Sequence, residues 1–432
     1  MGLTMAEKIL ARAAGRARVE PGEIVTVEVG KAVLIDLSFV PTSFLRSEIL
    51  RVKDPERVVI VFDHIVPARD VQSAEALKIG REVATRLGIR RFHDVGPDQG
   101  ICHQIIADYG YAVPGTVLVC PDSHTCSAGA FNCAARGVGG PEAVYAACTG
   151  QTWFRVAPTI RYLLEGAPRF AVSAKDIFLH IAGTWGDHVN TNVEFTGPYA
   201  AAMTLDARRT LTTMCAEISA EFALFEADDK TIAHVRARTS EAFEPVAPDP
   251  DARYEDVRTI DVGAIDPMVA LPDTVVRNTR PVAEVGDVAI HQAFVGSCAN
   301  GTLDDLAMAA RVVKGRRVAP GVRFIVTPGS QAIYLEALRR GLVRTLTESG
   351  AIVTSSTCGA CAGLHLGALA AGEVCVTAST RNFKGRMGSP DAKVFIASPA
   401  TVAASAVRGR IVDPRELLRR KRPARARSAS AP

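Results

Sequence analysis

The chain has 432 residues, room for two to four domains that each bury a core. Ten cysteines are too few for a disulfide-stapled scaffold, and no charged-then-apolar signal segment opens the sequence, so a reducing, cytoplasmic setting is expected. The formal net charge of +4 belongs to the C-terminal end: six of the 50 Lys and Arg residues lie beyond Leu418 with no acid among them, which leaves −2 on the rest. No nucleic-acid-binding body is expected on that balance, and no apolar run reaches the ~18 residues of a membrane-spanning helix.

Taken in chain order, Thr4-Met5-Ala6-Glu7 has the spacing of a capping box and predicts a helix that Gly15 stops. Residues Glu23 to Val29 alternate like a half-buried strand. Short apolar runs come next at Val58 to Phe62, Thr116 to Cys120, Ala289 to Val295, Phe324 to Val326, Ile352 to Val353 and Glu373 to Val376, with helical stretches between them. That alternation predicts an α/β fold with largely parallel sheets. Breaks near Phe154 to Gly166 and the Pro/Asp-rich Glu244 to Asp251 suggest α/β units at 1–157, 158–272 and 273–415, the middle one rich in helix. Residues 416–432 read as a basic, disordered tail.

The informative residues lie just past these apolar runs. Asp63-His64, Asp122-Ser123-His124, Gly296-Ser-Cys298-Ala-Asn300, Cys358-Gly-Ala-Cys361 and Arg381-Asn-Phe-Lys-Gly-Arg386 each sit at the carboxyl end of a predicted strand, where open α/β sheets place ligands. Asp122, Ser123 and His124 are consecutive, so they do not read as a hydrolase triad assembled from separate segments. Spacing alone leaves Cys358-x-x-Cys361 open to a redox pair, an iron-sulfur site, or half a zinc site completed by Cys298 and His365. Two guanidinium groups at Arg381 and Arg386 suit bidentate carboxylate recognition. Most of the other seven cysteines read as buried free thiols.

In this order the motifs resemble the aconitase superfamily, in particular the large subunits of the 3-isopropylmalate dehydratase and homoaconitase type. The matching text includes Phe62-Asp-His-Ile-Val-Pro, Gly100-Ile-Cys-His-Gln, Asp122-Ser-His-Thr-Cys, Gly296-Ser-Cys-Ala-Asn-Gly, Cys358-Gly-Ala-Cys-Ala-Gly and Arg381-Asn-Phe-Lys-Gly-Arg-Met-Gly, spread over residues 5 to about 415. The resemblance implies three α/β/α domains around one 4Fe-4S cluster held by Cys298, Cys358 and Cys361. It implies Asp63 and His64 as an acid pair supported by Asp122 and His124, with Glu217 near the substrate hydroxyl or water. Ser123, Arg381 and Arg386 would bind substrate carboxylates, and Thr213, Asn300 and Thr380 would surround the cluster. It also implies a separate small subunit of swivelling-domain type that brings the missing base.

The expected reaction is dehydration and rehydration of a small 2-hydroxy di- or tricarboxylate. 3-Isopropylmalate, of leucine biosynthesis, comes first, with homoaconitate, citraconate or maleate, and 2,3-dimethylmalate as alternatives. A cluster-free nucleic-acid-binding regulator and a zinc-stabilised protein are the competing classes. The chain departs from the family pattern at Pro121, where Gly is usual, and at Thr213 and Thr380, where Asn is usual. A threonine hydroxyl donates one hydrogen bond where an amide donates two, so cluster oxygen sensitivity is expected to differ. Asp108, Ser219, Ala299 and Thr302 are further departures, and none removes a proposed ligand, acid or arginine.

Overall fold

The computed structural model describes residues 2–44 and 48–418; residues 1, 45–47 and 419–432 lie outside the described residues, and with them most of the expected tail. Residues 416–418, assigned to that tail from sequence, pack instead: Leu417 and Leu418 are buried against the third sheet's core. The first helix, Met5–Ala13, opens on Thr4 with both capping-box hydrogen bonds present. Ile24–Glu28 alternates exposed and buried residues as predicted and pairs antiparallel with Gln151–Arg155.

Three larger sheets organise the chain. The first is five-stranded and wholly parallel, in the order Arg91–His93, Val58–Val61, Lys31–Ile35, Val117–Cys120, Ala134–Gly137. Its strands Val58–Val61 and Val117–Cys120 read as unbroken apolar runs because both faces are covered. Val58 and Ile60 enter one core, under the helices Met5–Ala13 and Val71–Leu87, while Val59 and Val61 enter the other, under the helix Cys102–Asp108.

The second sheet, Ala223–Phe225, Asn192–Thr196, Thr159–Glu165, Asp256–Asp261, is also parallel and lies in the middle segment that sequence reads mainly as helix. Its strands carry internal charges that find partners, as where the buried Glu194 accepts from the Ala6 N–H at 3.2 Å and from Tyr254 at 3.0 Å, and so they do not stand out as apolar runs. The third sheet has seven strands, in the order Thr279–Pro281, Met268–Ala270, Lys393–Ala397, Val374–Thr377, Gln292–Val295, Arg323–Val326, Ile352–Val353. Met268–Ala270 is antiparallel to both of its neighbours, and all the other pairings are parallel. It takes in Met268–Ala270, just ahead of the division expected at 272. Among the described residues no helix is long and apolar enough to cross a membrane.

The second sheet holds a buried histidine with a measurable consequence. His188 accepts at Nε2 from Arg258 (3.0 Å) and Tyr162 (2.8 Å), and its Nδ1 donates to the Gly186 carbonyl at 3.1 Å. Burial first, then the Arg258 charge, hold its pKa down at about 4, below the 6.5 of a free imidazole. The unfolded chain therefore binds the extra proton first, so this group's contribution to stability is complete above pH 6.5 and is lost as pH falls from 6.5 through 4. Urea midpoints of His188→Gln are expected to fall less steeply than wild type across that window; an unchanged slope removes His188 from the acid sensitivity.

Candidate active site

The first and third sheets present the carboxyl ends of their strands to each other, and the sequence motifs meet there. Val58–Val61 delivers Asp63 and His64, and Val117–Cys120 delivers Asp122, which caps the turn carrying Ser123 and His124. Across the gap, Gln292–Val295 leads to Cys298, Ile352–Val353 to Cys358 and Cys361, and Val374–Thr377 to Thr380, Arg381 and Arg386. Backbone bonds clamp the two sides: the Cys358 N–H and the Thr357 hydroxyl both donate to the Asp63 carbonyl at 2.8 Å. Cys298 comes after a constrained turn in which Ser297 has φ 75° and Gly296 has φ 157°. A Cβ on Gly296 would lie 2.8 Å from the Phe294 ring and 2.9 Å from Thr327, so the loop admits only glycine there.

One hydrogen-bonded chain links the acidic, imidazole and guanidinium groups. Asp63 Oδ1 meets His64 Nδ1 at 2.7 Å, while its Oδ2 accepts from the Cys102 N–H at 2.8 Å. His64 Nε2 faces Asp122 Oδ2 at 3.3 Å. Asp122 Oδ1 takes His103 Nε2 at 2.7 Å and the His124 N–H at 2.8 Å. His124 Nε2 meets Glu217 Oε1 at 2.7 Å, and Arg381 Nε donates to that same oxygen at 2.8 Å. Arg381 Nη2 closes the chain on Ser123 Oγ at 2.7 Å, where Ser123 is exposed and the site opens to solvent.

These neighbours set the charges. Burial opposes a charged His64, but Asp63, the Cys358 sulfur and Asp122 outweigh it and hold the imidazole well above its usual pKa. His124 is raised in the same way, burial being overcome by Cys298, Asp122 and Glu217. Burial pushes Asp122 up, and His103, His124 and His64 more than reverse it, keeping the carboxylate ionised. Asp36, beneath His64, is raised to about 6 by burial and by Asp63, and accepts the His64 and Ile65 N–H groups at 2.9 and 2.8 Å.

All ten cysteines are free thiols. Of the seven outside the proposed ligand set, six are buried, and Cys148 is half-buried. Around Cys298, Cys358 and Cys361 the donor set suits a group with several metal atoms better than a single ion. Ligands of one tetrahedral zinc stand roughly 4 Å apart. Among the described residues, the triads with ligand atoms within 4.8 Å of one another are Asp63–His64–Cys358 and His103–Asp122–His124, and the three thiols do not form such a group. His365, the fourth member of the zinc reading, turns its Nε2 to the His64 carbonyl at 3.2 Å. Three buried donors in segments adjoining the site lack partners, Thr213 Oγ1, Ser379 Oγ and Arg386 Nε, as expected where cluster sulfides would accept. Thr380 Oγ1 lies 4.0 Å and Arg386 Nη2 3.8 Å from Cys361 Sγ.

Of the residues singled out in the sequence, Arg386 stands apart from its expected companions. It lies over the Phe383 ring and against Cys361, while Arg381 alone reaches Ser123 and Glu217. Asn300 donates to Asp305 at 3.0 Å, and Thr213 is buried in the helix Leu205–Met214. Sequence reasoning passed over His103 and Asp36. His103 stands in the Gly100-Ile-Cys-His-Gln run, where its place in the helix Cys102–Asp108 beneath the strand ends was the available signal.

A cationic imidazole between two carboxylates, next to an arginine fork at an open mouth, is equipment for moving protons on a small carboxylate, and the chain is a hydro-lyase by its relatives. It belongs to the aconitase family: the model of the Aconitase family (aconitate hydratase) matches residues 7–281 and 275–409. It is 53% identical to the 3-isopropylmalate dehydratase large subunit of Mycolicibacterium smegmatis, over 97% of this chain and 98% of that protein. Identity is 43% to the 3-isopropylmalate dehydratase large subunit 1 of Methanopyrus kandleri (97% and 100%), and 42% to a probable methanogen homoaconitase large subunit of Methanothermobacter thermautotrophicus (96% and 98%). Among solved structures, aconitase X of Thermococcus kodakaraensis aligns with TM-score 0.50 at 13% identity, over 85% of this chain and 88% of that one, a likeness of fold. The family implies an iron-sulfur cluster.

Proposed function

We propose that this chain is the large subunit of a two-subunit hydro-lyase that interconverts hydroxy-dicarboxylate isomers by removing and returning water, with 3-isopropylmalate as substrate. The observation that carries the reaction is the hydrogen-bonded chain from Asp63 through His64, Asp122, His124 and Glu217 to Arg381, beside three free thiols. The choice of substrate rests on the 53% identical relative, and homoaconitate is the second reading because a probable homoaconitase subunit is 42% identical over nearly the same length. The same reading takes 1–157, 158–272 and 273–415 as three units around one site.

Cys298, Cys358 and Cys361 would hold a 4Fe-4S cluster, whose iron without a cysteine ligand supplies a Lewis acid for the departing oxygen. His64, kept cationic by Asp63 and Asp122, would give the proton at Nε2 to that oxygen. Glu217, shared by His124 and Arg381, would orient the hydroxyl or the returning water. Arg381, steadied by Ser123 and Glu217, would present its remaining N–H donors to a substrate carboxylate. The base that takes the carbon-bound proton would come from a small subunit closing the open side at Ser123.

Anaerobic reconstitution with iron and sulfide, with and without a co-expressed small subunit, tests this on a panel of unsaturated di- and tricarboxylates. Turnover is expected only with both chains, fastest on the isopropylmalate pair. Full activity of this chain alone would sink the two-subunit reading, and a preference for the homoaconitate pair would select the second.

A further inference from the structure

Lys175 is a cation in an unfavourable place. It lies in the first turn of the helix Ala174–Trp185, whose N-terminal dipole end is positive, and it is wholly buried. Burying an ammonium demands a compensating charge, yet among the described residues no carboxylate pairs with Nζ. Its neighbour Asp176 is fully engaged: Oδ2 accepts from the Ser173 N–H and hydroxyl at 2.7 and 2.8 Å, and Oδ1 from the Met268 N–H at 2.8 Å. Nζ donates instead to two uncharged acceptors, Met214 Sδ at 3.0 Å and the Ser379 carbonyl at 3.1 Å.

Those acceptors adjoin the candidate site. Met214 comes after Thr213 and leads to Glu217, and Ser379 precedes Thr380 and Arg381. Burial pulls Lys175 down to about 8, and the negative groups that pull it back are Cys298, Asp305, Cys361 and Glu217. Asp305 is already bonded within its own capping box and to Asn300, and Glu217 to His124 and Arg381. The other two groups are the sulfurs of Cys298 and Cys361, two of the three positions assigned to the cluster.

We propose that Lys175 is the buried counter-charge of the cluster assigned above to Cys298, Cys358 and Cys361, and that its two hydrogen bonds position the Thr213 and Thr380 segments on either side of it. The inference rests on that assignment. A positive charge held near a cluster favours the reduced, more negative state, so Lys175 raises the potential and slows cluster loss; it is a positioning residue and need not touch substrate.

The test uses the full chain as wild type, Lys175→Met and Lys175→Gln, measuring the cluster's midpoint potential, the half-life of its visible absorbance under a chelator, and the urea midpoint of the metal-free protein. Both variants are expected to shift the potential negative and lose the cluster about 10- to 100-fold faster. Metal-free Lys175→Met, freed of an unpaired buried charge, should resist urea at least as well as wild type. Gln keeps a donor for the Ser379 carbonyl, so wild-type potential and half-life in Lys175→Gln would reduce the role to that hydrogen bond and overturn the charge. Unchanged values in both variants, or a lower urea midpoint of metal-free Lys175→Met in step with cluster loss, overturn it too. A wild-type chain that takes up no iron and sulfide overturns the cluster assignment itself, a result visible before either variant is made.

Discussion

Cys361→Ser is expected to leave a folded, colourless protein with turnover at background. Cys361 is buried, and although burial opposes its thiolate, Arg386 and His124 outweigh it and bring the pKa below the usual value, so a ready ligand faces the site. Serine offers a far weaker acid and a harder oxygen in place of a soft thiolate. Cys126, a further thiol beside Cys298 and Glu217, points its Sγ away to the Thr212 carbonyl at 3.0 Å. Cys148→Ser, at a half-buried thiol of the helix Gly140–Thr149, should retain wild-type colour and turnover. Iron and sulfide analysis after anaerobic reconstitution decides the matter, because wild-type stoichiometry in Cys361→Ser would show that this sulfur is not a ligand.

The residues of that site were legible in the sequence for a local reason. Asp63, His64, Asp122, Ser123, His124 and Cys298 stand within a few positions of a short apolar run, and a parallel strand buried on both faces can hardly be written otherwise. Glu217, by contrast, follows a helix and was legible only through the family resemblance. Thr4 and Glu7 were legible because a capping box is a four-residue affair. What stayed hidden depends on distant partners. Lys31 opens a fully buried strand, tolerable because Glu241 meets its Nζ at 2.7 Å from more than two hundred residues away. The edge strand Asp256–Asp261 is mostly exposed and carries three charges, so periodicity has little to detect. The run Ala289 to Val295 over-reaches because Ala289 makes only an isolated bridge to Arg410, and the strand begins at Gln292. Arg381 and Arg386 look equivalent in sequence; only the turn between them, which lays Arg386 over Phe383, separates the one that reaches Glu217 from the one that reaches Cys361.

That separation gives Arg381→Lys an expected loss of about 100-fold in kcat/KM with cluster content unchanged. Arg381 spends Nε on Glu217 and Nη2 on Ser123, and these two bonds fix the plane of the guanidinium at the open mouth of the site. A lysine ammonium can reach one of these partners, but it cannot hold both and still offer a planar pair of donors to a carboxylate. Losing one of those bonds together with one of the paired donations to the substrate carboxylate costs about 3 kcal/mol, roughly two powers of ten. Because Glu217 Oε1 is shared with His124 Nε2, the change also alters the carboxylate expected to orient the hydroxyl, so kcat should fall along with the rise in KM. Arg381→Lys and Glu217→Gln should then be non-additive, since each breaks the same contact. Additive losses, or an unchanged kcat/KM on every substrate of the panel, would show that the fork is a surface ion pair and that the carboxylate is gripped elsewhere.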